Sequence, residues 1–257
     1  MTKFSVIIPY FKRDFYLFHC IDSLLNQSFR DFEIIIVGEK QSIHFEENAK
    51  PDIEIRFIEF KDYKKPSEML NLAVKHAKGE YLLFWQTDFT MFPNHLHKLN
   101  FYTETYGKNN LYVGRVLDTR HLEVLEYRSR FLMPYYHYAD RLDGCIHKSQ
   151  FIPFFEGFTG IGSHFYVEWL ARMWQKVTFL CFTDLEVIHI PHRTPFTERG
   201  LQAVMSNKLY EKCRGLNFNY SRYNELQKEI DDLYEIVKNV KLEGYEVNGY
   251  MPRVENV

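Results

Sequence analysis

The sequence lacks the devices that would tie it to a redox framework, a membrane span or a charged polymer. Its four cysteines, Cys20, Cys145, Cys181 and Cys213, lie far apart and never as a CxxC pair. Such spacing suits buried thiols in a reducing compartment better than a disulfide or zinc framework. Neither charge is in excess, with 32 Lys and Arg against 34 Asp and Glu, so neither nucleic acid nor a polybasic attachment to lipid is an expected partner. No apolar run approaches the roughly 20 residues that cross a bilayer. The opening MTKFSVIIPYF has too short an apolar core, and no small-residue cleavage site, for a signal peptide. A GxxxxGK[ST] loop and a GxGxxG turn after a strand are both missing, which disfavours two common nucleotide-binding designs. There is no internal repeat and no low-complexity tract. These absences predict a cytoplasmic protein, with the inner face of the membrane as a peripheral station, whose partners must be argued from its sites.

What is present is a core. At 257 residues and 46% hydrophobic content the chain can bury one large α/β domain with an appendage, and two full domains are not required. Phe4 to Pro9 (FSVIIP) and Phe32 to Val37 (FEIIIV) are unbroken apolar runs rich in β-branched residues, the pattern of strands buried on both faces. Between them Leu17, Ile21, Leu24 and Leu25 recur at helical spacing over 15–25. Asp52 to Phe60 alternates apolar and charged residues, which predicts a strand with one wet face. Ser67 is the candidate N-cap of a helix over 68–78, with Gly79 as its C-terminal cap, and Tyr81 to Trp85 is another buried strand.

The order β, α, β, β, α, β implies a mostly parallel sheet with helices on both faces, and such sheets bind ligands beyond the carboxyl ends of their strands. Three polar tips fall at that edge: 10–13, 38–41, and Gln86-Thr87-Asp88. Further on, LYVGRV and LEVLEY read as strands, 167–175 as a helix, 177–182 as a strand, and about 200–213 as a helix. Last, Leu226, Ile230, Leu233, Val237 and Val240 form a heptad-like stripe on a charged helix. That stripe either docks on its own domain or pairs two chains as a homodimer. The expected organisation is therefore a domain over 1–215 and a C-terminal helical extension over 216–257.

These motifs carry a resemblance. Ser5-Val-Ile-Ile-Pro-Tyr10, then Ser23-Leu-Leu-Asn-Gln-Ser28 and Asp31-Phe-Glu-Ile-Ile-Ile-Val37, with Asn71 and the run Ala77 to Asp88, closely resemble the opening of the family 2 glycosyltransferases of GT-A fold, over roughly residues 1 to 200. The resemblance implies a nucleotide-diphospho-sugar transferase fold with a mostly parallel central sheet, a nucleotide-sugar donor with UDP favoured, and a saccharide or lipid-linked acceptor. It implies that Pro9, Tyr10 and Glu39 cradle the base, with Asn71 part of the same set. Asp88 falls on the last Asp of the Asp-x-Asp motif, which ligates the metal bridging the diphosphate. Gln86 falls on the first, where an amide can still meet a ribose hydroxyl. Glu39 replaces the second Asp of the usual Asp-Asp-Gly-Ser tip, and Gly38 the first. Left to the residues alone, Asp88 also reads as a turn residue or as a helix N-cap before Pro93.

A departing nucleoside diphosphate needs its growing charge neutralised. With one carboxylate in the loop, the segment His189-Ile-Pro-His192 resembles the ligand-bearing stretch of galactosyltransferase-like members of the fold, making His192 and His189 candidate metal ligands. Imidazole favours Mn²⁺ over Mg²⁺; two histidines making ordinary hydrogen bonds in a Pro turn are the plain alternative.

An inverting transferase also needs a base for the acceptor hydroxyl. Here Gly160, Gly162, Ser163 and Arg172 fit the family framework, but His164-Phe165 stands where Glu-Asp is expected. Three candidates follow: His164, which is favoured, Glu156 and Glu168, the last also spaced i, i+4 from Arg172 as a structural ion pair. Arg115, Arg128, Arg130, Tyr135, Tyr136 and Tyr138 could serve the acceptor or form a packed loop. The sequence thus predicts an inverting, metal-dependent glycosyltransferase of surface-polysaccharide assembly, against the alternative of a catalytically weakened homologue acting as a binding subunit.

Overall fold

The computed structural model describes residues 2–10, 14–39, 52–61, 65–118, 123–125, 144–156, 166, 169–170, 172–173 and 175–189. Elements run in the order β1 (Phe4–Tyr10), α1 (Asp14–Leu25), β2 (Phe32–Gly38), β3 (Glu54–Glu59), α2 (Pro66–His76), β4 (Tyr81–Phe84), β5 (Phe89–Met91), α3 (His95–Tyr106), β6 (Asn110–Asp118), β7 (Glu123–Leu125), β8 (Gly144–His147) and β9 (Thr178–His189). Tyr166, Trp169, Leu170, Arg172 and Met173 are helical.

The described strands join in one nine-stranded sheet, ordered β3-β2-β1-β4-β8-β6-β9-β5, with β7 on β6. The β3-β2-β1-β4 half is parallel throughout. β8 then runs antiparallel to both β4 and β6, while β9 is parallel to β6 and β5 antiparallel to β9.

The two apolar runs become strands because both of their faces find a cover. Every residue of β1 and β2 is buried. Alternate side chains go to opposite faces: Ile7, Ile35 and Val37 join Met69, Leu70 and Ala73 of α2 with Trp169 and Leu170. Val6, Ile8, Ile34 and Ile36 meet Leu17, Cys20, Ile21 and Leu24 of α1 with Leu96 and Leu99 of α3. Each such fully buried aliphatic chain contributes about 1.5–3 kcal/mol, so two cores sandwich the sheet and fix its register.

Two local expectations change. Helix α2 starts at Pro66 with Lys65 as its N-cap, which places Ser67 inside the first turn rather than before it. Proline holds the dihedral of a first helical residue and has no N–H to leave unsatisfied there, so it outcompetes the serine. The helix stops at Ala77, and Gly79 serves packing instead. A Cβ there would stand 2.5 Å from the Ser5 backbone nitrogen.

At the sheet's amino edge Ser5 and Glu33 lie side by side on β1 and β2. The buried Glu33 carboxylate accepts from Ser5 Oγ (2.6 Å), from the Lys78 backbone N–H (2.6 Å) and from Arg56 Nη2, and Ser5 Oγ accepts from the Gly79 N–H. Burial opposes the charge, yet the Ser5, Lys78 and Arg56 donors outweigh it and hold the carboxyl below its usual range. That edge is anchored; the site lies at the other.

Candidate functional site

The site is built where β1, β2 and β4 end together. Tyr10 pairs with Gly38, and Phe84 pairs with Ile7, so the chain leaving β4 through Trp85 reaches Gln86-Thr87-Asp88 beside the ends of its neighbours. Asp88 is 4% exposed and Thr87 6%, in a turn between β4 and β5. A carboxylate held this deep requires hydrogen bonds or a cation to offset its desolvation.

Pro9 and Tyr10 close β1, both buried. The Tyr10 ring meets Phe57 edge-on at 6.4 Å. Glu39 follows β2 half-buried, and Gln86 is half-buried too. Gly38, where the family pattern has an aspartate, is set by packing: a Cβ would stand 2.4 Å from the Tyr10 carbonyl oxygen. The Gly38 carbonyl in turn accepts from the Phe60 N–H at 2.7 Å. The departure from the pattern is therefore built into the way β1 and β2 meet.

Residues to which the sequence reading gave no role at the site position the segment that carries Asp88. From α1 and the residues after it, Cys20, Ser23 and Gln27, all buried, face the segment 86–96. The Cys20 thiol donates to the Gln86 carbonyl (3.6 Å) and Ser23 Oγ accepts from the Met91 N–H (3.1 Å). Gln27 Nε2 donates to the Phe92 carbonyl (2.8 Å), and its Oε1 accepts from the Leu96 N–H (3.0 Å). Ser23 Oγ also donates to the Cys20 carbonyl (2.7 Å) and Gln27 Nε2 to the Ser23 carbonyl (3.1 Å). Burial, and then the charge of Asp88, push the Cys20 thiol up, which keeps it protonated as a donor. Cys20, Ser23 and Gln27 share an i, i+3, i+7 spacing along α1 and the turn after it, but that spacing does not name the distant backbone groups they bond.

On the other face Asn71, in the second turn of α2, directs its amide at the chain after β8. Its Oδ1 accepts from the Phe154 N–H (2.8 Å), and its Nδ2 donates to the Phe154 carbonyl (2.8 Å) and to Glu156 Oε1 (2.9 Å). Both amide hydrogens thereby have partners within the protein. Arg172 Nη2 donates to the Pro153 carbonyl at 3.0 Å.

His164, Glu168 and His192 lie outside the described residues, as do Gly160, Gly162, Ser163, the tyrosine and arginine cluster over 127–138, the helix about 200–213 and the C-terminal extension 216–257. Among the described residues no three His, Cys, Asp or Glu side chains are grouped to hold a metal. The backbone does bring one further candidate close. In the β5–β9 ladder His189 is opposite Phe89, the residue after Asp88.

A buried histidine outside the predicted set supports the same region. His95 opens α3 and its Nδ1 lies 3.1 Å from the Glu186 carbonyl on β9. Its ring meets Trp85 edge-on at 5.5 Å. Burial, and then nearby Lys98, push its pKa down to about 3, so it is neutral at physiological pH.

Comparison with known proteins agrees with this geometry. A family model described as "Glycosyl transferase family 2" matches residues 5–158, more than half of the chain. An uncharacterized glycosyltransferase of Rickettsia bellii is 32% identical over 98 residues, 37% of this chain and 14% of that protein. The GalNAc(5)-diNAcBac-PP-undecaprenol beta-1,3-glucosyltransferase of Campylobacter jejuni is 33% identical over 34% of this chain and 30% of its own length. The poly(ribitol-phosphate) beta-N-acetylglucosaminyltransferase TarS of Staphylococcus aureus is 29% identical over 34% of this chain and 16% of its own. The chain thus matches only a minor part of these relatives' lengths. In three dimensions it is similar to S. aureus TarS 1-349 in complex with UDP, with a TM-score of 0.64 at 14% identity, covering 96% of this chain and 74% of that one. It is likewise similar to the UDP-GlcNAc complex, with a TM-score of 0.63. At such identity the likeness establishes the fold.

Proposed function

Because the chain belongs to the family 2 glycosyltransferases, we propose that it moves a sugar, with inversion, from a nucleotide-diphosphate donor to a saccharide or lipid-linked acceptor in surface-polysaccharide assembly at the cytoplasmic face of the membrane. The observation that carries the reading is Asp88: a buried carboxylate on a turn at the carboxyl end of β4, beside the ends of β1 and β2. Pro9, Tyr10 and Glu39 would border the base, and the Gln86 amide would meet the ribose without adding charge. UDP is the favoured nucleotide, since structural neighbours are complexes with UDP and UDP-GlcNAc.

The donor set fits a divalent ion in part. Asp88 would be a ligand among the described residues, His189 stands opposite Phe89 in the β5–β9 ladder, and His192 would follow three residues later in the sequence. An imidazole partner favours Mn²⁺ over Mg²⁺, and the ion, when bound, would neutralise the charge that grows on the leaving diphosphate. The chain's own residues orient the donor and take the acceptor's proton. Base candidates are His164, Glu156 and Glu168, of which Glu156 lies among the described residues.

Calorimetry of UDP and GDP with and without Mn²⁺, on the wild type and on Asp88→Ala, tests the donor site. UDP binding strengthened by Mn²⁺ and weakened at least about tenfold by the substitution is expected. Metal-independent binding unchanged in Asp88→Ala would remove the metal assignment. The second reading, a binding subunit without turnover, draws on Gly38, whose contact with Tyr10 leaves no space for the family's aspartate. Donor binding without UDP release across a panel of sugar nucleotides would favour it.

A further inference from the structure

We infer that Asn71 is a positioning residue for Glu156, holding the turn after Phe154 so that this carboxylate takes the acceptor's proton from a fixed place. The inference rests on the transferase reading above and adds to it a choice among the three base candidates.

Three consecutive carbonyls outside the sheet each receive a side-chain donor from a helix. Trp169 Nε1 donates to the Ile152 carbonyl (2.6 Å), Arg172 Nη2 to Pro153 (3.0 Å) and Asn71 Nδ2 to Phe154 (2.8 Å). Asn71 also accepts from the Phe154 N–H at 2.8 Å, so its amide pairs with this residue as a neighbouring strand's peptide would. A planar side-chain amide of this length is suited to that exchange, because it offers a donor pair and an acceptor together.

The Phe154 ring packs 5.4 Å from Phe84, the last residue of β4, and 4.9 Å from Trp169. The clamp therefore sits at the strand end that leads to Gln86 and Asp88. Two residues beyond it comes Glu156, solvent-exposed, with one carboxylate oxygen fixed by the remaining Asn71 donor at 2.9 Å. An exposed glutamate without such a tether would sample many rotamers. Fixing it near the end of β4 removes that entropy before the acceptor arrives.

In the step itself the acceptor oxygen bonds to the anomeric carbon. The bond to the diphosphate breaks with its electron pair leaving on the nucleotide, and the hydroxyl proton passes to Glu156.

A double-mutant cycle tests this, reading UDP release from UDP-GlcNAc, UDP-glucose and UDP-galactose with water as acceptor. The variants are Asn71→Ser, Glu156→Gln and the pair, with Asn71→Asp, of the same shape, replacing Asn71→Ser if that variant does not fold. Asn71→Ser is expected to lower kcat at least tenfold while UDP affinity in Mn²⁺ stays within about twofold. In the Glu156→Gln background it should lower kcat by less than twofold more. Equal losses in both backgrounds, or a loss that follows UDP affinity, would overturn the positioning role alone. A wild type that releases no UDP from any donor would overturn the transferase reading, and this inference with it.

Discussion

Gln27 holds the chain at Phe92 and at Leu96 with the two ends of its side-chain amide: Nε2 donates to the Phe92 carbonyl at 2.8 Å, and Oε1 accepts from the Leu96 N–H at 3.0 Å. The pair joins the end of α1 to the chain that leaves Asp88. Replacing Gln27 by Leu keeps the bulk but leaves the buried Leu96 N–H without its acceptor, while the part-buried Phe92 carbonyl keeps the His95 N–H. An orphaned buried N–H costs about 1–3 kcal/mol, so the midpoint of urea unfolding should fall accordingly. Because the same amide steadies the Asp88 turn, the Mn²⁺-dependent part of UDP affinity should fall as well. Ser23→Ala, which removes the acceptor for the Met91 N–H, should show the same pairing of effects at smaller size. Loss of stability with unchanged UDP affinity would separate the α1 contacts from the donor site.

Gly38 gives a prediction about restoring the family pattern. A Cβ at this position would collide with the Tyr10 backbone carbonyl, and backbone cannot rotate away as a side-chain tip can. Gly38→Asp should therefore lower stability by roughly 1–3 kcal/mol, as overpacking does, and should not tighten UDP binding. Thermal unfolding together with calorimetry checks both halves. Tighter UDP binding without loss of stability would show that β1 and β2 can separate at their tips.

The parts of this fold that were legible are those in which local pattern and tertiary environment agree. The runs FSVIIP and FEIIIV could be read as fully buried strands because both faces are covered, and the Leu17-Ile21-Leu24 stripe because one helix face is. The antiparallel insertion of β8 between β4 and β6 was not legible. Its four residues carry no period that distinguishes edge from centre. β5, a strand of three residues directly after the Asp88 turn, was missed for the same reason. At the site, Asp88 could be placed by the strand that delivers it. The roles of Ser23, Gln27 and Asn71 could not be read, because their partners lie 68, 65 and 83 residues away and nothing local announces a side chain bonding to distant backbone.

His95 makes stability depend on pH in a defined direction. Its folded pKa, pushed down to about 3 by burial, lies below the ordinary value near 6.5, so the unfolded chain binds the extra proton first. Its contribution is thus fully present above about pH 6.5 and is lost as pH falls toward 3. Between pH 7 and pH 5 this amounts to about 2 kcal/mol, at 1.36 kcal/mol per unit. His95→Phe should flatten the stability profile over that interval in urea titrations at each pH. A variant whose profile keeps the wild-type slope would show that another group carries it.

Glu33 acts in the same sense but lower on the pH scale. Its carboxyl is held below the usual range, because the Ser5, Lys78 and Arg56 donors outweigh its burial, and the unfolded chain therefore takes up its proton first. The stability contributed is present above the ordinary carboxyl pKa and is lost as pH falls through the lowered folded value. Removing the charge at neutral pH by Glu33→Leu leaves Arg56, the Lys78 N–H and the Ser5 hydroxyl facing an apolar group. Breaking a buried pair from one side costs roughly 3–5 kcal/mol. The lower end is expected because Arg56 is 26% exposed and can turn to solvent. The network lies at the amino edge of the sheet, with the length of β1 between it and Tyr10. Glu33→Leu should therefore lower the unfolding midpoint while leaving UDP affinity of the folded fraction unchanged. A matching loss of UDP affinity at temperatures where the variant is fully folded would show that the two edges of the sheet are coupled.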